Sequence, residues 1–224
     1  MDDVYLTLAE RLARGQREGP LFAVRGPPGT HDLALAARVI RALRSAGPMS
    51  RTPIPSFDKL ADDRRPRGAW TVFEGRPSAV IVDCWSLGAT PQSQLDLDEF
   101  VNELERAEDG DCRWRTAVNA ALEGPYAAFD AMFDARLYLR PPTFDVVLDW
   151  RVEQEAGLLG VTPEAVSPAR RSALARFVAH YERLTRWMMA GGVKANFVAQ
   201  QGLEREILSV APMSDSRLFS GAQP

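Results

Sequence analysis

Cysteine and histidine are scarce in this chain, two of each among 224 residues. Cys84 and Cys112 form no Cys-x-x-Cys pair, and neither His31 nor His180 sits beside them at metal-ligand spacing. The spacing argues for two free thiols and against a structural zinc. No apolar run approaches the length of a membrane span, and Met1-Asp2-Asp3 opens with acids where a signal peptide carries positive charge. A cytoplasmic address follows, and it disfavours a disulfide. A surplus of one charge is missing too: 27 Lys and Arg stand against 30 Asp and Glu, for a net charge of -3. That balance excludes a broad attraction to nucleic acid or to an anionic membrane. With no Ser/Gly-rich linker, repeat or low-complexity tract, residues 1–224 read as one compact domain.

What is present is an ordinary globular composition, 46% hydrophobic and 25% charged, long enough to bury a core. Residues 6–13 carry helix formers with Leu8 and Leu12 one turn apart, and Gly15 is positioned to stop them. After the short apolar piece 21–24 comes Arg25-Gly26-Pro27-Pro28-Gly29-Thr30-His31-Asp32, a rigid turn that opens a helix over 33–43. Thr30 is placed as its N-cap, with Leu33, Ala36 or Ala37, Ile40 and Leu43 as the buried stripe. Residues 50–77, rich in Pro, Arg and Asp, have little periodicity and read as a long structured loop of the kind that carries function.

Residues 79–82 (Ala-Val-Ile-Val) have the pattern of a short strand buried on both faces of a parallel sheet. Asp83 would then point from its carboxyl end into a ligand crevice. Helices are expected over 97–107, over 114–133 with an interruption at Gly124-Pro125, over 144–159, and over 168–190 with Ser167 as N-cap and Pro168 at the first position. Strands are expected over 135–139, 193–199 and 206–210. Their alternation with helices implies an α/β sheet with helices on both faces.

Several polar groups fall where chemistry is done, each with a structural alternative. Asp2 and Asp3 are either exposed charges at a helix start or groups for metal binding and proton abstraction. The Gly26 to Gly29 segment is either a plain turn or, with Arg25, Thr30, His31 and the N–H groups of the following helix, an anion site. Asp58, Lys59 and the Asp62-Asp63-Arg64-Arg65 run are either a solvated loop or part of a cleft. Asp83 has the strongest case on its own, because a lone carboxylate ending a buried strand is costly unless it meets water, a metal or a partner. His180 reads as a packed helix residue.

Taken together, the segments resemble a family. Asp2-Asp3-Val4-Tyr5-Leu6-Thr7 is similar to the Ser-x-Asp-Asp-Phe-Tyr-Leu-Thr segment of glycerate-3-kinase-like P-loop kinases, relatives of uridine and pantothenate kinases. The Arg25 to Asp32 turn resembles their Arg-Gly-x-Pro-Gly-Thr-His-Asp loop, and Pro55-Ser56-Phe57-Asp58-Lys59 their Pro-x-Tyr-Asp-Lys segment. Asp83-Cys84-Trp85 stands where they have Glu-Gly-Trp. The resemblance runs in order from Met1 to about Ile207. It implies a P-loop NTPase-type parallel sheet flanked by helices and ATP-dependent phosphorylation of a small hydroxy acid, D-glycerate first, with ATP and Mg2+ as cofactors. It also implies site residues. Asp2 and Asp83 would be catalytic or metal-linked, and Arg25, Thr30, His31, Asp32, Asp58, Lys59 and Arg64 would surround the acid. Arg151 would be a lid arginine over the transferring phosphate.

The departures are equally specific. No Gly-x-x-x-x-Gly-Lys-Ser/Thr segment occurs in the chain, so the loop that cradles β- and γ-phosphates is lacking. The family carries it upstream of the point matching Met1, so the expectation is a parent chain with a further first strand, phosphate loop and helix. The sheet should then show an unpaired edge with apolar surface beside it. Two other readings stand beside this one: an acid-binding homologue without catalysis, and a kinase of another small alcohol such as a nucleoside or pantothenate.

Overall fold

The computed structural model describes residues 1–213; residues 214–224, the end of the expected 1–224 domain, lie outside the described residues. Helix α1 (Leu8–Glu18) starts with a capping box in which the Thr7 hydroxyl accepts from the Glu10 N–H and the Glu10 carboxylate accepts from the Thr7 N–H. Gly15 does not end it. A Cβ there would lie 2.8 Å from the Ala23 Cβ, so this glycine allows the following turn to pack close, and the helix stops instead at Gly19 with φ +121°. The apolar piece after it is a 3-10 turn, Pro20–Ala23.

Helix α2 (Leu33–Arg44) buries Leu35, Ala36, Ala37 and Ile40. Its N-cap is Asp32, whose Oδ1 accepts from the Leu35 N–H, and not Thr30 as expected. The expected loop 50–77 is built from two short antiparallel ladders, β1 (Arg51–Ile54) with β4 (Thr71–Glu74) and β2 (Phe57–Asp58) with β3 (Asp63–Arg64).

Residues 79–82 form no strand, which corrects the sequence reading. None of the described strands pairs with them, and Ile81 is 91% exposed. A strand buried on both faces needs ladder partners and covering helices, and β propensity does not substitute for them. Asp83, read as the end of such a strand, therefore has an exposed side chain, and the burial argument for it falls.

Next come α3 (Gln94–Asp98), α4 (Glu103–Glu108) and α5 (Arg113–Ala121), then a π turn at Leu122–Tyr126 and α6 (Ala127–Asp130). Pro125 has no N–H to give to an i–4 carbonyl, so the helix widens there rather than breaking. The chain continues through β5 (Leu137–Arg140), α7 (Val146–Leu159), α8 (Pro168–Met189), β6 (Phe197–Gln201) and β7 (Ile207–Pro212). Ser167 caps α8 through the Arg170 N–H, with Pro168 at the first position, as the sequence indicates.

The chain divides into two compact units, Met1–Leu87 with Arg113–Asp130, and Gly88–Cys112 with the described residues from Ala131 onward. The first has a core of Val4, Tyr5, Leu21, Phe22, Leu35, Ile40, Phe57, Leu122 and Phe129. In the second, α7 packs on α8 through Val152, Ala156 and Leu174, with Val166 and Leu148 beside them. Its sheet runs β5-β6-β7, β5 parallel to β6 and β6 antiparallel to β7. Among the described residues β5 and β6 are the one parallel pair of strands, so the architecture is mixed α/β and not the extended parallel sheet expected.

Candidate functional site

The first unit brings together most of the segments that the sequence singles out. Residues 4–6 run against the Arg25 to Asp32 turn: the Leu6 N–H donates to the Thr30 carbonyl at 2.9 Å, the Asp32 N–H to the Val4 carbonyl at 2.7 Å, and Tyr5 and His31 form an antiparallel bridge. The Met1 amino group donates to the Asp83 carbonyl, and Trp85 Nε1 donates to the Gly26 carbonyl at 3.0 Å. The starting acids, the turn and the Asp83 segment are thereby tied to one another.

The turn holds itself. Thr30 Oγ1 accepts from the Gly26 N–H at 2.9 Å and donates to the Pro27 carbonyl at 2.8 Å, so this buried hydroxyl is engaged inside the loop. Gly29, at φ +97°, gives its carbonyl to Arg14 Nη1 and its N–H to Tyr126 Oη. A Cβ there would meet Arg14 Nη1 at 3.0 Å and would strain the backbone besides, which explains a glycine at this position. The helix start that the sequence offered to an anion already carries the Asp32 carboxylate.

Each basic side chain expected around the acid has a carboxylate partner. Arg25 pairs with Asp62, Lys59 with Asp2, and Arg64 with Asp32 at 3.0 Å. Asp62 also accepts from Arg11, which is 1% exposed and donates further to the Leu6 and Ala23 carbonyls. The Arg11 and Arg25 guanidinium groups lie over the Phe57 ring at 6.0 and 5.7 Å. Asp3 holds the Phe57 N–H, and Asp63 holds the Leu8 N–H at the start of α1. Asp58 accepts from the Leu60 and Ala61 N–H groups and pairs with Arg65, which makes it the former of the β2–β3 turn. The two backbone bonds draw its carboxyl below the usual range.

Partial burial pushes the Asp2 carboxyl up, but hydrogen bonds from Lys59 and Tyr5 outweigh it, so Asp2 stays below the usual carboxylate value. His31 is 6% exposed. Burial, aided by the Met1 ammonium and opposed by Asp2, takes its pKa down to about 3, so the imidazole is neutral. Burial also raises the Cys84 thiol, which keeps it protonated. Among the described residues no three His, Cys, Asp or Glu side chains are grouped to hold a metal ion. Arg151 lies in the second unit, where it pairs with Glu155 at 3.1 Å and donates to Gln154.

Sequence reasoning passes over Arg11, Arg14 and Tyr126, all of which shape this assembly, and it names Asp62 only within the 62–65 run. The interruption at Gly124-Pro125 is the one signal that bears on Tyr126.

No protein-family model matches the chain. By sequence it is 28% identical over 180 residues to the chloroplastic D-glycerate 3-kinase of Arabidopsis thaliana, covering 75% of this chain and 37% of that protein. It is also 28% identical over 189 residues to the Schizosaccharomyces pombe protein named uncharacterized kinase mug58, covering 81% and 65%. The chain is a relative of the glycerate-3-kinase-like proteins. It spans little more than a third of the plant relative and just under two thirds of the yeast one. Among solved structures, the D-glycerate 3-kinase of Cryptococcus neoformans superposes with a TM-score of 0.72 at 23% identity, over 95% of this chain and 78% of that one, a likeness of fold. No helix among the described residues is long and apolar enough to cross a membrane.

Proposed function

We propose that this chain is the acid-binding part of a phosphotransferase that moves a phosphoryl group from ATP to a small hydroxy acid, D-glycerate in the first instance. The observation that carries the reading is the Arg25 to Asp32 turn. It resembles the glycerate-kinase loop residue by residue, and it is fastened both to residues 4–6, just after the starting acids, and to Trp85 in the Asp83 segment.

Phosphoryl transfer asks the protein for positioning and charge neutralisation more than for covalent chemistry. On resemblance, Arg25 and Arg64 are assigned to the acid's carboxylate, to which a guanidinium presents two parallel donors. Each is largely covered and already paired, with Asp62 and Asp32, so the acid shares or displaces that partner. Lys59 is more exposed and can turn from Asp2 to a ligand anion at small cost. Asp2, held ionised, is then released to accept the proton of the attacking hydroxyl. Thr30, Asp32 and Asp58 act by shaping the turn and the hairpin rather than by touching the ligand. We assign Arg151 to the phosphate side of the reaction, on resemblance.

Mg2+ commonly takes one or two carboxylates and completes its shell with water and phosphate oxygens; on resemblance, Asp2 and Asp83 would be those carboxylates. Bound there, it would neutralise phosphate charge. The 224 residues contain no phosphate-loop sequence, so no step is assigned to the nucleotide's β- and γ-phosphate contacts. A cytoplasmic setting belongs to the same proposal and suits two free cysteines.

Calorimetry with D-glycerate and with 3-phosphoglycerate, with and without ATP and magnesium, tests the reading. The acid should bind, and turnover by these 224 residues alone should be slight. A longer chain that includes a phosphate-loop segment should restore it. Failure of both acids to bind would defeat the proposal. Absence of turnover in any longer form would select acid binding without catalysis instead.

A further inference from the structure

The π turn gives the first unit a residue that neither the motifs nor the proposed chemistry accounts for. Tyr126 follows Gly124-Pro125, and the widened turn presents its hydroxyl to the Arg25 to Asp32 loop. Tyr126 Oη lies 3.0 Å from the Gly29 nitrogen and 2.5 Å from His31 Nδ1, and the Tyr126 and His31 rings meet edge to face with centroids 5.8 Å apart. His31 Nε2 is fully covered and has no hydrogen-bond partner.

These contacts decide the tautomer. The Gly29 N–H can only donate, so Tyr126 Oη accepts from it and keeps one hydrogen to give. If that hydrogen goes to His31 Nδ1, one polar group of the set is left over, the Nε2–H. If instead Nδ1–H donates to Oη, two are left over, the tyrosine hydrogen and the Nε2 lone pair. Because each unmet buried polar group is costly, the first arrangement prevails. Burial raises the Tyr126 hydroxyl pKa, consistent with a proton that stays on oxygen.

We propose that Tyr126 is a positioning residue for the acid site: its hydroxyl fixes the loop at Gly29 and holds His31 as the Nε2–H tautomer. The imidazole then carries its hydrogen on the covered Nε2, and Gly29 and His31 are held together in one arrangement of the loop. Tyr126 acts through Gly29 and His31 and touches no ligand. This inference rests on the proposed acid binding for its functional part, but its structural part is read without any ligand.

Tyr126→Phe removes the hydroxyl and keeps the ring. Leu122→Ala, in the same turn and also buried, serves as a control that loosens the core and leaves the Tyr126 hydroxyl in place. In the ligand-free wild type, imidazole nitrogen-15 resonances should report Nε2–H with Nδ1 as acceptor, and the Gly29 amide should be protected from exchange. In Tyr126→Phe the tautomers should mix and the Gly29 protection should fall, while Leu122→Ala retains the wild-type pattern. D-glycerate affinity by calorimetry should drop about tenfold in Tyr126→Phe and no more than about twofold in Leu122→Ala. A wild-type His31 in the Nδ1–H form, or equal affinity losses in the two variants, would overturn the inference. A wild-type chain that binds neither acid, yet shows the Nε2–H form, would overturn the functional reading and leave the positioning of the loop standing.

Discussion

Glu105 and Arg183 in the second unit form an ion pair whose side chains are 1% and 9% exposed, whereas Asp2 and Lys59 in the first unit pair at 56% and 44%. Each is a carboxylate paired with a cation, and the surroundings differ. Arg183 donates to both Glu105 oxygens at 2.7 Å and to the Asp96 and Glu99 carbonyls, while Glu105 also accepts from the Val101 N–H. That network joins α8 to the start of α4, and a ligand has no way into it without unpairing a buried charge. The Asp2–Lys59 pair faces water, so either member can change partners cheaply. Burial separates an ion pair that holds a fold from one that is free to serve a ligand.

Arg183→Met should produce the largest effect, a loss of about 3 to 5 kcal/mol in urea unfolding, because it strands the buried Glu105 carboxylate. D-glycerate affinity measured under folding conditions should hardly move. An equal stability loss in Lys59→Ala would break the comparison.

Protonation of His31 comes next. Its folded pKa is about 3 and its unfolded value about 6.5, so between them the unfolded chain holds the extra proton. Stability should therefore fall as pH drops through about 6.5 toward about 3, by roughly 4 kcal/mol from this group at the acid end. Urea midpoints for the wild type and His31→Phe across that window should converge at low pH as the variant escapes this loss. Parallel curves would refute it.

Gly29→Ala should cost about 2 kcal/mol, since the loop needs a left-handed residue and Arg14 crowds the new methyl. D-glycerate binding, measured by calorimetry on the folded fraction, should be lost with it.

Lys59→Ala should be the mildest in stability, below about 1 kcal/mol. It should nevertheless weaken D-glycerate binding at least about tenfold if the cation trades Asp2 for the acid. A Lys59→Ala variant with wild-type affinity would place the acid elsewhere.

Local rules read well in this chain where the physics is local. Ser167-Pro168 starts α8 as the capping preferences require, and the Arg25 to Asp32 segment is a turn opening a helix, although Asp32 takes the cap from Thr30. The reading failed at 79–82 because an apolar run records a tendency to be buried and says nothing of which strands are available to pair with it. It failed at Gly15 because a glycine stops a helix only where nothing is gained by continuing, and close packing of Ala23 is such a gain.

The site divides in the same way. Composition and order alone determine that the chain offers a Gly-Pro turn rich in hydrogen-bonding residues, acids at its start and a charged stretch between 58 and 65, and these are properties of neighbours along the backbone. The pairing of Arg25 with Asp62, the joining of Asp2 to Lys59 and the reach of Tyr126 to Gly29 and His31 were decided by the tertiary structure. Residues 37, 57 and about 97 positions apart meet only when packing of a shared core brings their segments together, and no local propensity encodes that meeting.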